Sequence, residues 1–152
     1  MQADPDGLPG DDGGYPLAGV SCVAWRGHGI LVQGPSGSGK SDLCLRIIHE
    51  GGELVGDDVV RLRRDGSLLV ATPYRDAGLI ELRGQGIFRF PWRNEAMIGI
   101  VIRLSRGKQL ERLPEQASVR LAGVDIPAFD LDASAPSAVA RVAALLHHPR
   151  AF

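Results

Sequence analysis

The sequence predicts an α/β domain organised around a phosphate-binding loop, and three observations carry that expectation. The motif Gly34-Pro-Ser-Gly-Ser-Gly-Lys40-Ser41 is entered through an apolar run, Ile30 to Gln33. Directly behind it, Leu43, Cys44, Ile47 and Ile48 recur at helical spacing. Elsewhere the chain is mostly short apolar runs broken by Gly, Asp and Pro, the pattern of strands and turns.

The motif is a Walker A loop. Its glycines let successive backbone N–H groups turn inward on a phosphate, Lys40 adds a positive charge for the outer phosphates, and the Ser41 hydroxyl suits Mg²⁺. A helix beginning near Lys40 turns its positive dipole end to the same anion. The candidate nucleotide-binding residues are therefore Gly34, Pro35, Ser36, Gly37, Ser38, Gly39, Lys40 and Ser41. The alternative is a glycine-rich turn with no ligand.

In chain order, residues 1–16 combine acids and turn formers with almost nothing to bury and are expected to form a mobile tail ahead of a catalytic domain over 17–152. Val20–Trp25 and 30–33 are expected as a hairpin about a turn at 26–29, which makes His28 a solvent-facing turn residue. The helix over Lys40–His49 stops at Gly51-Gly52. One strand is expected over 53–62 and its return over 67–72, with Arg61, Arg63 and Arg64 on a solvated edge. An irregular crossing at 73–79 leads to two apolar segments about the glycine-rich bend of 83–86, then a loop at 91–95. Ala96–Leu104 is the most hydrophobic run, as a central strand covered on both faces would be. After a polar stretch, a hairpin turns at Ala122-Gly123, and a last helix starts near Ser134 or Ser137 with Val139, Val142, Ala143 and Leu146 on one face.

Composition narrows the function classes. The chain has 152 residues and a net charge of −1, which offers no electrostatic case for nucleic acid or an anionic membrane. No apolar run is long enough to span a bilayer, and the acidic start is unlike a secretory signal, so a cytoplasmic location with ready ATP is expected. The two cysteines, Cys22 and Cys44, sit in apolar surroundings and read as reduced core thiols. The pair His147-His148 suits a helix end better than a metal, because neighbours on a helix do not face each other.

A phosphate loop that transfers phosphoryl groups needs a carboxylate to support Mg²⁺ and a base for the acceptor hydroxyl. Asp57 and Asp58 are the candidates; on a regular strand only one of them can point at the phosphates. Ordinary solvated turn aspartates are the competing reading. Pattern alone thus says P-loop phosphotransferase or hydrolase, acceptor unknown.

Three motifs in order, the loop itself, Leu54-Val-Gly-Asp57-Asp58 and Glu81-Leu-Arg-Gly-Gln-Gly-Ile87, resemble the C-terminal catalytic domain of HPr kinase/phosphorylase over about residues 20–146. The resemblance implies an HPr kinase/PEP carboxykinase-like fold, a P-loop-containing mixed sheet with few helices, in a truncated form without the family's N-terminal domain. It implies ATP and Mg²⁺ as cofactors, an HPr-like phosphocarrier as acceptor, a possible sensor-kinase partner and a homo-hexamer. By position, Lys40 is the loop lysine, Ser41 and Glu81 are metal ligands, Asp58 is the base with Asp57 beside it, and Arg112 is the active-site arginine.

Two positions depart. Gly19 stands where the family has a histidine 21 residues before the loop lysine, and 132–137 lacks the arginines of the family's dephosphorylation segment. The parts for kinase chemistry are kept; those tied to phosphorylase activity are the ones that differ. The alternative function is a nucleotide-sensing regulator with weak or no catalysis. A small-molecule kinase is weaker still, for want of a lid or acceptor pocket.

Overall fold

The computed structural model describes residues 14–105 and 110–152. Its elements are β1 (Tyr15–Ala18), β2 (Val20–Trp25), β3 (His28–Gln33), α1 (Lys40–His49), β4 (Glu53–Gly56), β5 (Val59–Asp65), β6 (Leu68–Pro73), β7 (Leu79–Leu82), β8 (Gly86–Arg89), β9 (Ala96–Leu104), β10 (Ala117–Leu121), β11 (Val124–Leu131) and α2 (Ala138–His147).

β9 is the axis of a mixed, curled sheet. It runs parallel to β3 over residues 98–103, parallel to β11 through its last residues, and antiparallel to β6 through Ala96 and Met97. From β3 the sheet continues through β2 to β4, from β6 through β5 to β1, and from β11 to β10. β7 and β8 form a separate two-stranded hairpin.

Alternation divides the buried side chains into two layers. Val23, Trp25, Ile30, Val32, Ile100 and Ile102 face α1, α2 and Ile80 of the hairpin. Cys22, Ala24, Leu31, Ile98 and Val101 turn to the other side, where the curled sheet closes on Val55, Val60, Leu62, Leu69 and Ile126. Strands buried on both faces read as continuous apolar runs, and β2, β3 and β9 do so.

Local chemistry explains the connections. Arg26-Gly27 and Ala122-Gly123 occupy two-residue hairpin loops with positive φ at both positions, the primed turn that matches strand twist. Helix α1 buries Leu43, Cys44, Ile47 and Ile48. Each of the large aliphatic side chains contributes about 1.5–3 kcal/mol by leaving water. The helix ends where the Gly51 and Gly52 N–H groups return to the Ile48 and Ile47 carbonyls at 2.9 and 3.0 Å. In α2, Ala138 and Val142 are fully buried against the same layer.

Several expectations are corrected. Tyr15 and Pro16 are not tail but part of β1, paired with Leu62 and Arg61; residues 1–13 of the expected tail lie outside the described residues. The single strand over 53–62 is two strands, broken at Asp57-Asp58 because Asp58 takes φ 69°. β5 is not an edge, since β1 pairs with it over Val59–Leu62; Arg64 stays exposed as expected, whereas Arg61 and Arg63 are half-buried. Arg63 pairs with Glu95 at 2.7 Å, and Arg61 lies over the Tyr74 ring. His28 is the first residue of β3, half-buried with its ring 5.7 Å from that of His147.

Candidate active site

The P-loop joins the carboxyl end of β3 to α1, the end of a parallel sheet at which ligands bind in open α/β folds. Its path is packed tightly. A Cβ on Gly34 would lie 2.6 Å from Ser38 Oγ and 3.0 Å from the Leu104 carbonyl oxygen, and one on Gly39 would lie 3.1 Å from Ala133 Cβ. Gly39 takes φ 99° to start α1, whose N-terminus carries no side-chain cap. The first intrahelical bond is that of the Leu43 N–H to the Gly39 carbonyl at 2.9 Å. The N–H groups of Lys40, Ser41 and Asp42 therefore remain for an external acceptor, while that of Ser38 is bonded to the Pro35 carbonyl at 3.0 Å.

Lys40 Nζ donates to the carbonyls of Gly34 and Pro35 at 2.8 and 3.2 Å, so its charge is held over the loop. Ser38 Oγ is buried without a hydrogen-bond partner among the described residues. A buried orphan hydroxyl, free helix-terminal N–H groups and a lysine folded over them fit a nucleotide phosphate group.

The second half of the site comes from the β4–β5 break. Ser41 Oγ donates to Asp57 Oδ1 at 2.7 Å. Ser21 Oγ, from β2, donates to the same oxygen at 2.9 Å. Asp57 Oδ2 has no hydrogen-bond partner among the described residues and remains open to a metal ion or its water. A P-loop serine bonded to an acidic residue is the donor set that holds Mg²⁺ in P-loop phosphotransferases.

Asp58 is exposed, and its peptide is gripped from both sides. Its N–H donates to Ser21 Oγ at 3.3 Å, and its carbonyl accepts from the Gly19 N–H at 2.7 Å. Aspartate is among the few non-glycine residues that take up the left-handed conformation, and these two bonds hold the peptide in it. Gly19, at φ 77°, has open space where a Cβ would stand.

Lys40, Ser41 and Asp57 are thus brought together, with Asp58 next to them. Among the described residues, Glu81 and Arg112 make no hydrogen bond or ion pair with them. Glu81 is on the exposed side of β7, while its neighbour Ile80 enters the core. Arg112 is exposed in the segment after β9, and the nearby Pro114 carbonyl accepts from Arg150, beyond α2.

Two contributors escaped the sequence reading. Ser21 is the polar interruption of an otherwise apolar strand, a signal that could have marked it. Arg46 ties α1 to the 132–137 segment by donating to the carbonyls of Ala133 and Ala135 at 2.7 and 3.3 Å. In that segment the Asp132 carboxylate accepts from the Ser134 hydroxyl and N–H, which hold its pKa below the ordinary carboxylate value. A cleft of about 340 Å³ lined by Trp25, Arg26, His28, Glu53, Arg93 and Met97 lies at the amino ends of β3 and β9, away from the P-loop.

Comparison with known proteins bears on this arrangement. A family model described as the HPr Serine kinase C-terminal domain matches residues 17–146. HPr kinase/phosphorylase of Clostridium tetani is 37% identical over 91 residues, covering 55% of this chain and 30% of the relative. That of Bacillus pumilus is 34% identical over 114 residues, 66% of this chain and 37% of the relative. The chain thus spans about a third of the length of these curated relatives. The solved HPr(Ser) kinase/phosphatase from Coxiella burnetii superposes with a TM-score of 0.75 at 22% identity, over 87% of this chain and 93% of that one, a likeness of fold.

Proposed function

The chain belongs to the HPr serine kinase C-terminal-domain family, and from that premise we propose that it is an ATP- and Mg²⁺-dependent protein serine kinase whose acceptor is an HPr-like phosphocarrier. The observation that carries the reading is the bond from Ser41 to Asp57 beside a lysine-capped P-loop. When bound, Mg²⁺ supplies charge neutralisation between the outer phosphates.

The chain's own residues supply the rest. The backbone of residues 34–41 orients the phosphates, and Lys40 leaves the Gly34 and Pro35 carbonyls to meet them. Ser41 and Asp57 offer oxygen ligands or hold metal-bound water. Asp58 accepts the proton of the acceptor serine as its oxygen bonds to the γ-phosphorus of ATP, while the bond from that phosphorus to the β-phosphate oxygen breaks and ADP leaves. Glu81 as a further metal ligand and Arg112 as a charge on the transferring group belong to the same proposal. Glu81 would reach the metal from the β7–β8 hairpin, and Arg112 would come from the segment after β9 of this chain or of a neighbouring subunit in a hexamer.

A cytoplasmic setting and association with a sensor kinase complete the reading. Among the described residues no helix is long and apolar enough to cross a membrane. The kinase direction is the one whose residues are kept. Phosphorolysis is measured by giving the phosphorylated acceptor inorganic phosphate.

The test is incubation with ATP, Mg²⁺ and an HPr-like acceptor, with phosphoserine read by mass spectrometry. Wild type is expected to transfer phosphate, and Asp58→Asn and Lys40→Ala are not. Equal transfer by wild type and Asp58→Asn removes the assignment of the base. ATP binding with no transfer by wild type replaces the kinase with a nucleotide-sensing regulator.

A further inference from the structure

We propose that Ser21 is a positioning residue of this site, joining the two aspartates of the β4–β5 break to each other and to the P-loop serine. The inference rests on the kinase reading for its consequence, while the contacts themselves do not. Ser21 is completely buried in β2. It lies on the face that also carries Val23 and Trp25, the face turned toward α1.

A serine hydroxyl has one hydrogen to donate and lone pairs to accept with. Here the hydrogen goes to Asp57 Oδ1 at 2.9 Å, and a lone pair takes the Asp58 N–H at 3.3 Å. The one side chain therefore contacts both residues that the proposed chemistry uses, one through its carboxylate and the other through its backbone. Asp57 Oδ1 also receives Ser41 Oγ, so rotation of the carboxylate is restrained from two directions and Oδ2 is left to point elsewhere. Asp58 sits at φ 69°, and the bonds from Gly19 and to Ser21 hold its peptide in that conformation, which aims the side chain.

Packing alone gives no reason for a hydroxyl at this place. A buried polar group without partners is unfavourable, and every other residue of β2 is apolar. The polar partners Ser21 finds belong to the site, and its burial keeps it from touching nucleotide or acceptor. It acts through Asp57 and Asp58.

Two measurements test this without an acceptor protein. Binding of ATP is measured by calorimetry in EDTA and across a MgCl₂ series. In Ser21→Ala the metal-free affinity is expected to stay within about twofold, while the Mg²⁺ concentration giving half of the metal-linked gain rises about tenfold, as for lost outer-shell partners of metal ligands. Ser21→Thr, which keeps the hydroxyl, is expected to follow wild type within about threefold, and Ser21→Ala combined with Asp57→Asn to be no worse than Asp57→Asn. A Ser21→Ala protein with wild-type Mg²⁺ dependence, a Ser21→Thr protein as impaired as Ser21→Ala, or additive losses in the double variant would each overturn the proposal.

The second measurement is amide hydrogen exchange at Asp58 in nucleotide-free protein, expected to quicken about tenfold in Ser21→Ala relative to wild type while the β9 amides are unchanged. Unchanged exchange at Asp58 overturns the link even if nucleotide binds. Wild type that binds no ATP removes the kinase reading, and the exchange result then decides the Ser21 link by itself.

Discussion

Ser41 Oγ donates to Asp57 Oδ1 across 2.7 Å, joining the first turn of α1 to the break between β4 and β5. Of the two adjacent aspartates, the one bonded to the P-loop serine is Asp57. Asp57→Asn keeps the shape and removes the charge that would face the metal. We expect the Mg²⁺-linked part of ATP binding to weaken by about 10–100-fold, with metal-free binding little changed, as read by calorimetry.

Asp58 has a separate role and should show a separate signature. Asp58→Asn is expected to lower phosphoryl transfer by about 10²–10⁴-fold, the usual contribution of a general base, while ATP affinity stays within about threefold. Single-turnover transfer measured beside nucleotide binding distinguishes this from a loss of binding.

At the loop entrance, Gly34→Ala would place a methyl group 2.6 Å from Ser38 Oγ and 3.0 Å from the Leu104 carbonyl oxygen. The Ser38 side chain would have to turn away and the end of β9 to shift by a few tenths of an ångström. The variant is expected to lose about 1–3 kcal/mol of stability and most of its ATP affinity, checked by denaturant unfolding and calorimetry.

Leu43 lies between α1 and the sheet with no exposed surface. Leu43→Ala should destabilise the domain by about 2–5 kcal/mol through lost burial and the cavity left behind. Chemical denaturation at neutral pH measures it. A loss below about 1 kcal/mol would mean that α1 does not pack as described.

Burial pushes the Cys22 thiol from its ordinary 9.0 up to about 12, and Cys44 is raised well above its ordinary value by burial and then by Cys22 and Asp57. Between pH 9 and about 12 the unfolded chain therefore holds fewer protons than the folded one at these thiols. Their contribution is fully present below pH 9 and is lost as pH rises, by about 1.4 kcal/mol per pH unit for each thiol that ionises on unfolding. Unfolding midpoints in urea from pH 7 to 10.5 test the sign, and a thiol reagent should label both cysteines only after unfolding.

Much of the fold was legible because it rests on local patterns. The span of α1 follows from apolar spacing and the Gly51-Gly52 stop, and the central place of β9 from its unbroken apolar run. The last hairpin follows from Ala122-Gly123 between two alternating segments. β1 was missed because four residues with alternating exposure and a proline carry almost no period of their own, and become a strand only by pairing with β5. The break at Asp57-Asp58 was missed for a related reason, since Val55 and Val60 flank the pair like one continuous strand.

By itself the sequence determined the phosphate loop, the helix behind it, the order of most strands and the motifs shared with the family. These depend on residue type at short spacing. Tertiary structure decided which aspartate meets Ser41, how Asp58 is held, that β1 pairs with β5, and that Glu81 lies on the exposed side of the β7–β8 hairpin. The bonds concerned join residues 36 and 16 positions apart, from Ser21 and Ser41 to Asp57. No local preference encodes them. The curled sheet does so by bringing the start of β2 and the end of β4 beside the first turn of α1, where one buried hydroxyl can reach both aspartates.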